Sequence, residues 1–316
     1  MNMIKMGLIG CGKWGLNHAK ALSGIKECDF VGIADIFPET EKIAKHLNVK
    51  FFQNHLDLLP LVDAVSIVTP TDTHYKIVRD CLLSKKHVIV EKPITQDSKQ
   101  TDELVGLAKK ENLVFAAGYL FRFNNSVIKL RELLKDAGDI NYITARYIHS
   151  TNPPRKDSGV VFNLGSHLVD ILSFVTGKHP EKVFCKKADC LSEREDFAEI
   201  LLDYGKFTAC LEVSWLHPLK KRDMWIIGSK KKIYADLLDQ RIEVHDIEIT
   251  LEKSVNFGSK SIDIDKNEPL ADELGHFVEC IKKGNEPKNS GKEGAFVTRV
   301  CEAALESSKT GKWVKL

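Results

Sequence analysis

The sequence contains no long apolar run. No stretch approaches the roughly 18 consecutive apolar residues that a membrane-spanning helix needs. The amino-terminal MNMIKMGLIGCG also lacks the apolar region and the cleavage site of a secretory signal. We therefore expect a cytoplasmic protein that has no membrane partner.

The chain has little excess charge of either sign. Its 46 Lys and Arg residues nearly balance 44 Asp and Glu residues, which leaves a formal net charge of +2. Because proteins that bind nucleic acid usually carry a strong positive field, this balance argues against a nucleic-acid partner.

Disulfide and metal-binding patterns are missing as well. The 8 cysteines include no C-x-x-C, and the 11 histidines include no H-E-x-x-H and no H-x-H. We therefore expect reduced thiols and no metal site.

The residues that are present have the composition of a globular protein, with 43% hydrophobic and 28% charged residues. At roughly 100 to 200 residues per domain, the length predicts two domains. Up to residue 121, β-rich runs alternate with helical patterns, which predicts an α/β domain with a parallel sheet. In residues 122–316 strands follow strands, which predicts an α+β domain with a largely antiparallel open sheet. We expect a closing helix at about residues 292–310 to lie near the first domain.

Residues 10–15 have the pattern G-x-G-x-x-G, directly after a predicted strand and at the start of a predicted helix. The glycines allow a tight turn and a close approach to a pyrophosphate, and the helix N-terminus offers N–H groups to its oxygens. The alternative is a structural glycine turn. In this context the pattern predicts a Rossmann domain whose cofactor-binding residues include Gly10, Cys11, Gly12, Lys13, Trp14 and Gly15.

Asp35 ends the second predicted strand, 20 residues after Gly15. A carboxylate at this place accepts hydrogen bonds from the adenosine ribose and repels a 2′-phosphate. The next residues, Ile36, Phe37 and Pro38, supply no cation that could offset this repulsion. Asp35 therefore predicts NAD rather than NADP as the cofactor, and the alternative is a solvated carboxylate at a strand end.

Two further segments follow predicted parallel strands, where open α/β sheets bind their ligands. The first is a T-P-x-x-x-H and the second is an E-K-P. They add further candidate cofactor-binding residues: Thr69, Pro70, His74, Glu91 and Lys92.

Together with the glycine loop, these segments resemble the Gfo/Idh/MocA family, which includes glucose-fructose oxidoreductase and inositol dehydrogenase and whose members carry both motifs in this order. The likeness extends over nearly the whole chain, to the closing Gly-Lys-Trp-Val. The resemblance implies an NAD-dependent dehydrogenase that acts on CH–OH groups.

Lys92 and His167 are the candidate catalytic residues. Lys92 follows a buried strand and precedes a proline, so its ammonium can point into the crevice and bind a reacting hydroxyl. Taken alone, Lys92 would be interpreted as an exposed ion-pairing lysine and His167 as a hydrogen-bonded helix residue. The segment of Asn163, His167 and Asp170 resembles the family's D-x-x-x-H-x-x-D, in which the histidine takes the hydroxyl proton.

Asn163 stands where many family dehydrogenases have Asp. An amide cannot ionise, so we expect Asn163 to bind and orient substrate only. Asp170 is expected to be a structural hydrogen-bonding partner. Arg122 belongs to a segment that resembles the family's crossover and is expected to line the cofactor or substrate cleft, the alternative being a buried interdomain ion pair.

The stretch that begins S-W-x-x-P-x-K-x-R is similar to one in the family's nucleotide-sugar 3-dehydrogenases. It indicates that Trp215 faces a sugar or nicotinamide ring and that Lys220 or Arg222 contacts a diphosphate. The alternative is a solvated basic hairpin beside a core tryptophan.

The resemblance therefore implies oxidation of a ring hydroxyl of a nucleotide sugar, most plausibly C-3 of UDP-N-acetylglucosamine or its uronic acid, with hydride transfer to NAD. Two alternatives stay open at this point, an inositol or free-sugar dehydrogenase and a catalytically silent NAD-sensing regulator. We expect a homodimer or homotetramer.

Overall fold

The computed structural model describes residues 3–151, 158–191 and 193–316. The chain forms two compact units. The first consists of the residues up to Leu120 together with Glu268–Thr298, and the second of Phe121–Asn267 together with Arg299–Leu316.

The first unit is built on a six-stranded sheet in the order β3-β2-β1-β4-β5-β6, and every neighbouring pair is parallel. Its strands are β1 (Ile4–Ile9), β2 (Cys28–Ala34), β3 (Lys50–Phe52), β4 (Ala64–Ile67), β5 (His87–Glu91) and β6 (Phe115–Gly118). Its helices include α1 (Lys13–Gly24), α2 (Glu41–His46), α3 (His55–Leu58), α4 (Thr71–Leu83) and α5 (Ser98–Lys110). The predicted α/β fold is confirmed. The strand order reverses between β1 and β4, and ligands bind at the carboxyl ends of the strands at such a switch point.

The second unit is built on a nine-stranded sheet. Its strands are β7 (Ile140–Ser150), β8 (Lys182–Ala188), β9 (Phe197–Asp203), β10 (Thr208–Ser214), β11 (Leu216–Gly228), β12 (Lys232–Asp236), β13 (Arg241–Ile249), β14 (Ser254–Ile262) and β15 (Val314–Lys315). Its helices include α6 (Asn125–Leu133) and α7 (Ser166–Thr176). The strand order is β14-β13-β12-β11-β7-β10-β9-β8-β15, and β7 with β10 is the one parallel pair among the described strands of this sheet. The prediction of a largely antiparallel sheet is confirmed.

One face of this sheet is buried and the other is partly exposed. Along β7 the side chains of Ile143, Ala145 and Tyr147 are buried, whereas those of Thr144 and Arg146 are partly exposed. Because successive side chains of a strand point to opposite faces, this alternation places Tyr147 on the covered face of the sheet.

Two helices close the chain, α8 (Pro269–Lys283) and α9 (Gly291–Thr310). Helix α8 has proline at its start, and Gly284 after its end adopts a positive φ of 66°. Its residues Leu274, Phe277 and Val278 join the core of the first unit. The domain boundary predicted at residue 121 assigns these residues to the second domain. An amphipathic pattern shows that one face of a helix is buried, but it does not show against which core.

The segment that contains Asn163 and His167 is helical in two parts. A π-helical turn, Val161–Gly165, leads directly into α7, and Gly177 after the end of α7 has a positive φ of 63°. The π turn contains Asn163, and α7 contains His167. None of the helices that the structure describes is long and apolar enough to cross a membrane.

Candidate functional site

The glycine loop between β1 and α1 has the conformation that its motif predicts. Gly10 has a φ of +86°, and a Cβ there would lie 2.8 Å from the carbonyl oxygen of Val68, so only glycine fits. A Cβ at Gly12, in contrast, would meet no protein atom within 4 Å. Gly12 is also the N-cap of α1 and supplies no side-chain acceptor. The loop therefore leaves room and backbone N–H groups for a pyrophosphate.

Asp35 lies beside this loop at the end of β2. Its Oδ2 accepts a hydrogen bond from the Cys11 N–H at 2.7 Å, and its Oδ1 accepts one from the Phe37 N–H at 3.0 Å. Burial, reinforced by the Asp35 charge, raises the pKa of the Cys11 thiol to about 11. Cys11 is therefore a neutral side chain that contributes its backbone to the loop, and the carboxylate of Asp35 is held in place for a ribose.

This geometry yields a prediction about cofactor choice. NAD should bind at least about tenfold more tightly than NADP, a difference of about 1.4 kcal/mol, because Asp35 repels a 2′-phosphate. The matched variant is Asp35→Asn, which keeps an acceptor for the Cys11 N–H but removes the charge. Titration calorimetry should show that the preference for NAD, measured as the ratio of the NADP to the NAD dissociation constant, is smaller in Asp35→Asn than in the wild type. Equal or tighter NADP binding by the wild type would contradict this role for Asp35.

Glu91 connects the glycine loop to Lys92. It does so together with His18, which the sequence analysis did not identify. Oε1 of Glu91 accepts hydrogen bonds from the Trp14 Nε1–H at 2.8 Å and pairs with His18 Nε2 at 3.1 Å, and Oε2 accepts from the Lys92 N–H at 3.1 Å. The other ring nitrogen of His18 lies 2.9 Å from the Ser66 hydroxyl. These contacts hold the pKa of Glu91 at about 2, since they and the Lys92 charge outweigh burial, which alone would raise it.

This network gives the Glu91 side chain a structural part. Glu91 is 4% exposed and both of its carboxylate oxygens accept hydrogen bonds within the protein, so it holds the loop, and its contact with the cofactor stays a prediction. The sequence does contain an indication of this position of His18. His18 lies four residues after Trp14, so the two side chains share a face of α1. Trp14 itself is 39% exposed and stays a candidate cofactor contact.

His74 is also a structural residue. Its Nε2 lies 2.9 Å from the Thr69 carbonyl oxygen, and its Nδ1 lies 3.0 Å from that of Pro93. Its side chain is fully buried, and burial lowers its pKa against the opposing effect of these carbonyl groups. His74 therefore ties the T-P-x-x-x-H loop to the E-K-P segment, and its contact with the cofactor stays a prediction.

The remaining predicted residues of the first unit differ in their exposure. Thr69 is half-buried and accepts a hydrogen bond from the Thr73 hydroxyl at 2.7 Å, while Pro70 and Lys13 are exposed. Lys92 directly follows β5 and is 7% exposed. Such burial is unusual for a lysine and is consistent with a role other than a surface ion pair.

In the second unit, Arg122 and Asp170 form a buried ion pair. The Nε and Nη2 groups of Arg122 donate to Oδ1 of Asp170 at 2.8 and 2.7 Å, and the two side chains are 4% and 1% exposed. The Arg122 guanidinium is engaged by Asp170 of the same unit, and the expectation that Arg122 lines a cleft stays a prediction. Asp170 is the structural partner that the sequence predicted.

His167 lies in an aromatic environment on the covered face of the sheet. Its ring is stacked on Tyr147 with centroids 5.8 Å apart and packs edge-on against Phe121 at 5.2 Å. His167 is 6% exposed, and Asn163 in the preceding π turn is 9% exposed. The two rings fix the orientation of the imidazole, as a general base requires.

Tyr147 also contacts Arg222. The two residues are directly paired between β7 and β11, and the Arg222 guanidinium carbon lies 4.4 Å from the Tyr147 ring centroid. Burial raises the pKa of Tyr147, and the Arg222 charge opposes this shift. The predicted base and the predicted phosphate ligand therefore contact the same tyrosine ring, which the sequence analysis did not single out.

The basic stretch before Arg222 forms an irregular segment of β11. Leu216 pairs with Ser150 and Lys221 pairs with Ile148, so residues 217–220 of β11 lie opposite the single residue His149 of β7. We call residues 217–220 the β11 bulge. It carries the exposed Lys220.

Trp215 does not fit the role that was predicted for it. Its side chain is 1% exposed, and its backbone N–H donates to the carbonyl oxygen of Asp196 at 3.0 Å. The prediction that Trp215 faces a sugar or nicotinamide ring is corrected, because its indole is part of the core, as the alternative interpretation had it.

Both units match known families. Residues 4–119 match a family model described as oxidoreductase family, NAD-binding Rossmann fold, and residues 127–234 match the GFO/IDH/MocA C-terminal domain. Among the part of the chain that the structure describes, no three His, Cys, Asp or Glu side chains are grouped to hold a metal ion.

Similar proteins cover nearly the full length. UDP-N-acetylglucosamine 3-dehydrogenase of Acidithiobacillus ferrooxidans is 28% identical over 96% of both chains. Myo-inositol 2-dehydrogenase of Thermotoga maritima is 26% identical over 99% of this chain and 98% of its own. A solved structure of the Acidithiobacillus enzyme has a TM-score of 0.88 at 25% identity and covers 98% of this chain and 99% of that chain.

Proposed function

We propose a substrate class for this chain, which belongs to the Gfo/Idh/MocA family of NAD-binding oxidoreductases. The predicted family, oxidoreductase activity and NAD cofactor are confirmed by the two family models and the named dehydrogenases. Within the family, we propose that the chain oxidises a ring hydroxyl of a nucleotide sugar, at C-3 of UDP-N-acetylglucosamine or its uronic acid.

The observation that carries this proposal is the position of Arg222. Its buried Nε–H has no hydrogen-bond acceptor among the described residues, and its guanidinium shares the Tyr147 ring with His167. A guanidinium with a buried N–H group that lacks an acceptor is well suited to bind an anionic group of a ligand. A nucleotide sugar carries its diphosphate on the same ring as the hydroxyl to be oxidised, and a free polyol carries no such group. The similarity to UDP-N-acetylglucosamine 3-dehydrogenase supports the same substrate class.

The roles of the residues follow from their chemistry. The glycine loop and Asp35 would hold NAD, which supplies the hydride acceptor when it is bound. In the proposed reaction His167 takes the proton of the hydroxyl, since an imidazole titrates near neutral pH. Lys92 donates a hydrogen bond to the same oxygen, and Asn163 orients the sugar because its amide cannot relay a proton.

Two alternative functions, a polyol dehydrogenase and an NAD-sensing regulator, can be distinguished from the proposed one by experiment. Similarity to inositol 2-dehydrogenases favours a polyol dehydrogenase, which would reduce NAD with inositol and not with any UDP-sugar. A silent NAD-sensing regulator would bind NAD without turnover of either substrate class. A screen for NADH fluorescence with UDP-sugars and free polyols separates the three. A homodimer or homotetramer and a cytoplasmic location stay predictions.

The diphosphate contact is tested by Arg222→Met, which keeps a side chain over Tyr147 but removes the charge. The affinity for UDP-N-acetylglucosamine should fall by about tenfold or more, because charge-assisted hydrogen bonds contribute roughly 1.5 to 3 kcal/mol each. The loss should be smaller at high salt, where the wild-type attraction is screened. Titration calorimetry at two salt concentrations measures both effects.

The matched control is Lys230→Ala, which removes one positive charge from an exposed position of the same unit. It should leave the affinity within about twofold of the wild type, because exposed charges at a distance are screened. An equal loss in both variants would show a general charge effect and would count against a diphosphate contact at Arg222.

A further inference from the structure

His149 occupies an unusual position in the second unit. It is the single residue of β7 opposite the β11 bulge, and it lies two residues after Tyr147, on the same face of the strand. The ring centroids of Tyr147 and His149 are 6.2 Å apart. His149 is half-buried, so its imidazole can contact a ligand that reaches Arg222.

The groups around His149 are mostly positive or neutral. Arg222 and Lys220 of β11 act electrostatically on His149. Within β7, the His149 ring is near that of Tyr147 and forms a hydrogen bond with the backbone of Ser150. His217 of the β11 bulge accepts a hydrogen bond from the Leu219 N–H at 3.0 Å. Helix α7 contributes His167, which is stacked on Tyr147.

We propose that His149 is a third ligand of the substrate diphosphate and that it takes up a proton when the diphosphate binds. The inference rests on the proposed function. In the free protein two neighbouring cations disfavour a third positive charge at His149. A diphosphate bound to Arg222 and Lys220 offsets these charges and adds an acceptor, which favours the imidazolium.

The direction of the pH dependence follows from this linkage. Burial, and then the Arg222 and Lys220 charges, lower the pKa of His149 in the free protein, so the imidazole is neutral at pH 7. An anionic ligand raises that pKa. The affinity for the diphosphate should therefore increase as the pH falls from 8 to 6, by about tenfold for each pKa unit of difference between the free and the bound protein.

UDP-N-acetylglucosamine is the right probe because each of its two phosphates has a single, strongly acidic ionisable oxygen, so its own charge stays constant over this pH range. Titration calorimetry at pH 6.5, in two buffers of different ionisation enthalpy, should show net proton uptake on binding. His149→Asn should abolish the uptake and flatten the pH dependence, so that its affinity falls further below that of the wild type at pH 6 than at pH 8.

Three further variants show whether another imidazole takes up the proton on binding. His167→Asn and His217→Asn remove the other imidazoles of the cluster, and His179→Asn removes an exposed one elsewhere in the same unit. All three should keep the proton uptake. Binding of UDP-N-acetylglucosamine without proton uptake, or with uptake that persists in His149→Asn, overturns this inference alone. Absence of binding by the wild type at every pH overturns the proposed function together with it.

Discussion

Replacing His167 by alanine is expected to lower kcat by about a hundredfold or more. The reason is that a positioned general base contributes roughly 10² to 10⁴ to the rate. Lys92→Ala should lower kcat to a similar degree, because it removes the hydrogen bond that we propose between Lys92 and the reacting oxygen. NAD affinity should stay nearly unchanged in both variants, because the glycine loop and Asp35 are intact. Turnover by NADH absorbance and NAD binding by calorimetry measure the two quantities separately.

The matched control for the histidine is His179→Ala, an exposed imidazole of the same unit. It should have wild-type kcat. Turnover at the wild-type rate in His167→Ala would show that His167 is not the base. If the wild type binds NAD but shows no turnover, the NAD-sensing regulator is favoured.

Breaking the Arg122–Asp170 pair should have the largest effect on stability. Asp170→Ala leaves a guanidinium that is 4% exposed without its carboxylate, and such a change costs about 3 to 5 kcal/mol in free energy of unfolding. Removing both charges with Arg122→Leu and Asp170→Leu together should cost less than Asp170→Ala alone, because no uncompensated charge stays buried. Urea denaturation measures both.

An exposed pair on α6 provides the comparison. Lys129 and Glu132 are 2.9 Å apart but 41% and 57% exposed, so Glu132→Ala should cost less than about 1 kcal/mol. Equal costs for Asp170→Ala and Glu132→Ala would show that burial does not control the energy of the Arg122 pair.

The features that depend on local spacing could be predicted from the sequence. Gly10, Gly12 and Asp35 follow from a glycine motif between a strand and a helix, because one backbone geometry satisfies all of these positions. The parallel and antiparallel sheets follow from the order of strand and helix patterns in the same way.

The features that depend on distant partners could not be predicted. Glu91 pairs with His18 across 73 positions of the chain, and no periodicity reports such a contact. Tyr147 meets Arg222 because β7 and β11 are neighbours in the sheet, which strand patterns alone do not tell. Trp215 was placed in the site because an aromatic residue precedes a basic run, yet its indole is buried in the core.

The π turn before α7 has a consequence for how this chain can change during evolution. A π turn is commonly one extra residue accommodated within an α-helix. Deleting Leu164 or Gly165 would move Asn163 from four to three positions before His167, a change of about 100° around the helix axis. A different neighbour would then take the place of Asn163 while His167 kept its position. Substrate selectivity at this point can therefore diverge through a single insertion or deletion, without substitution of the base.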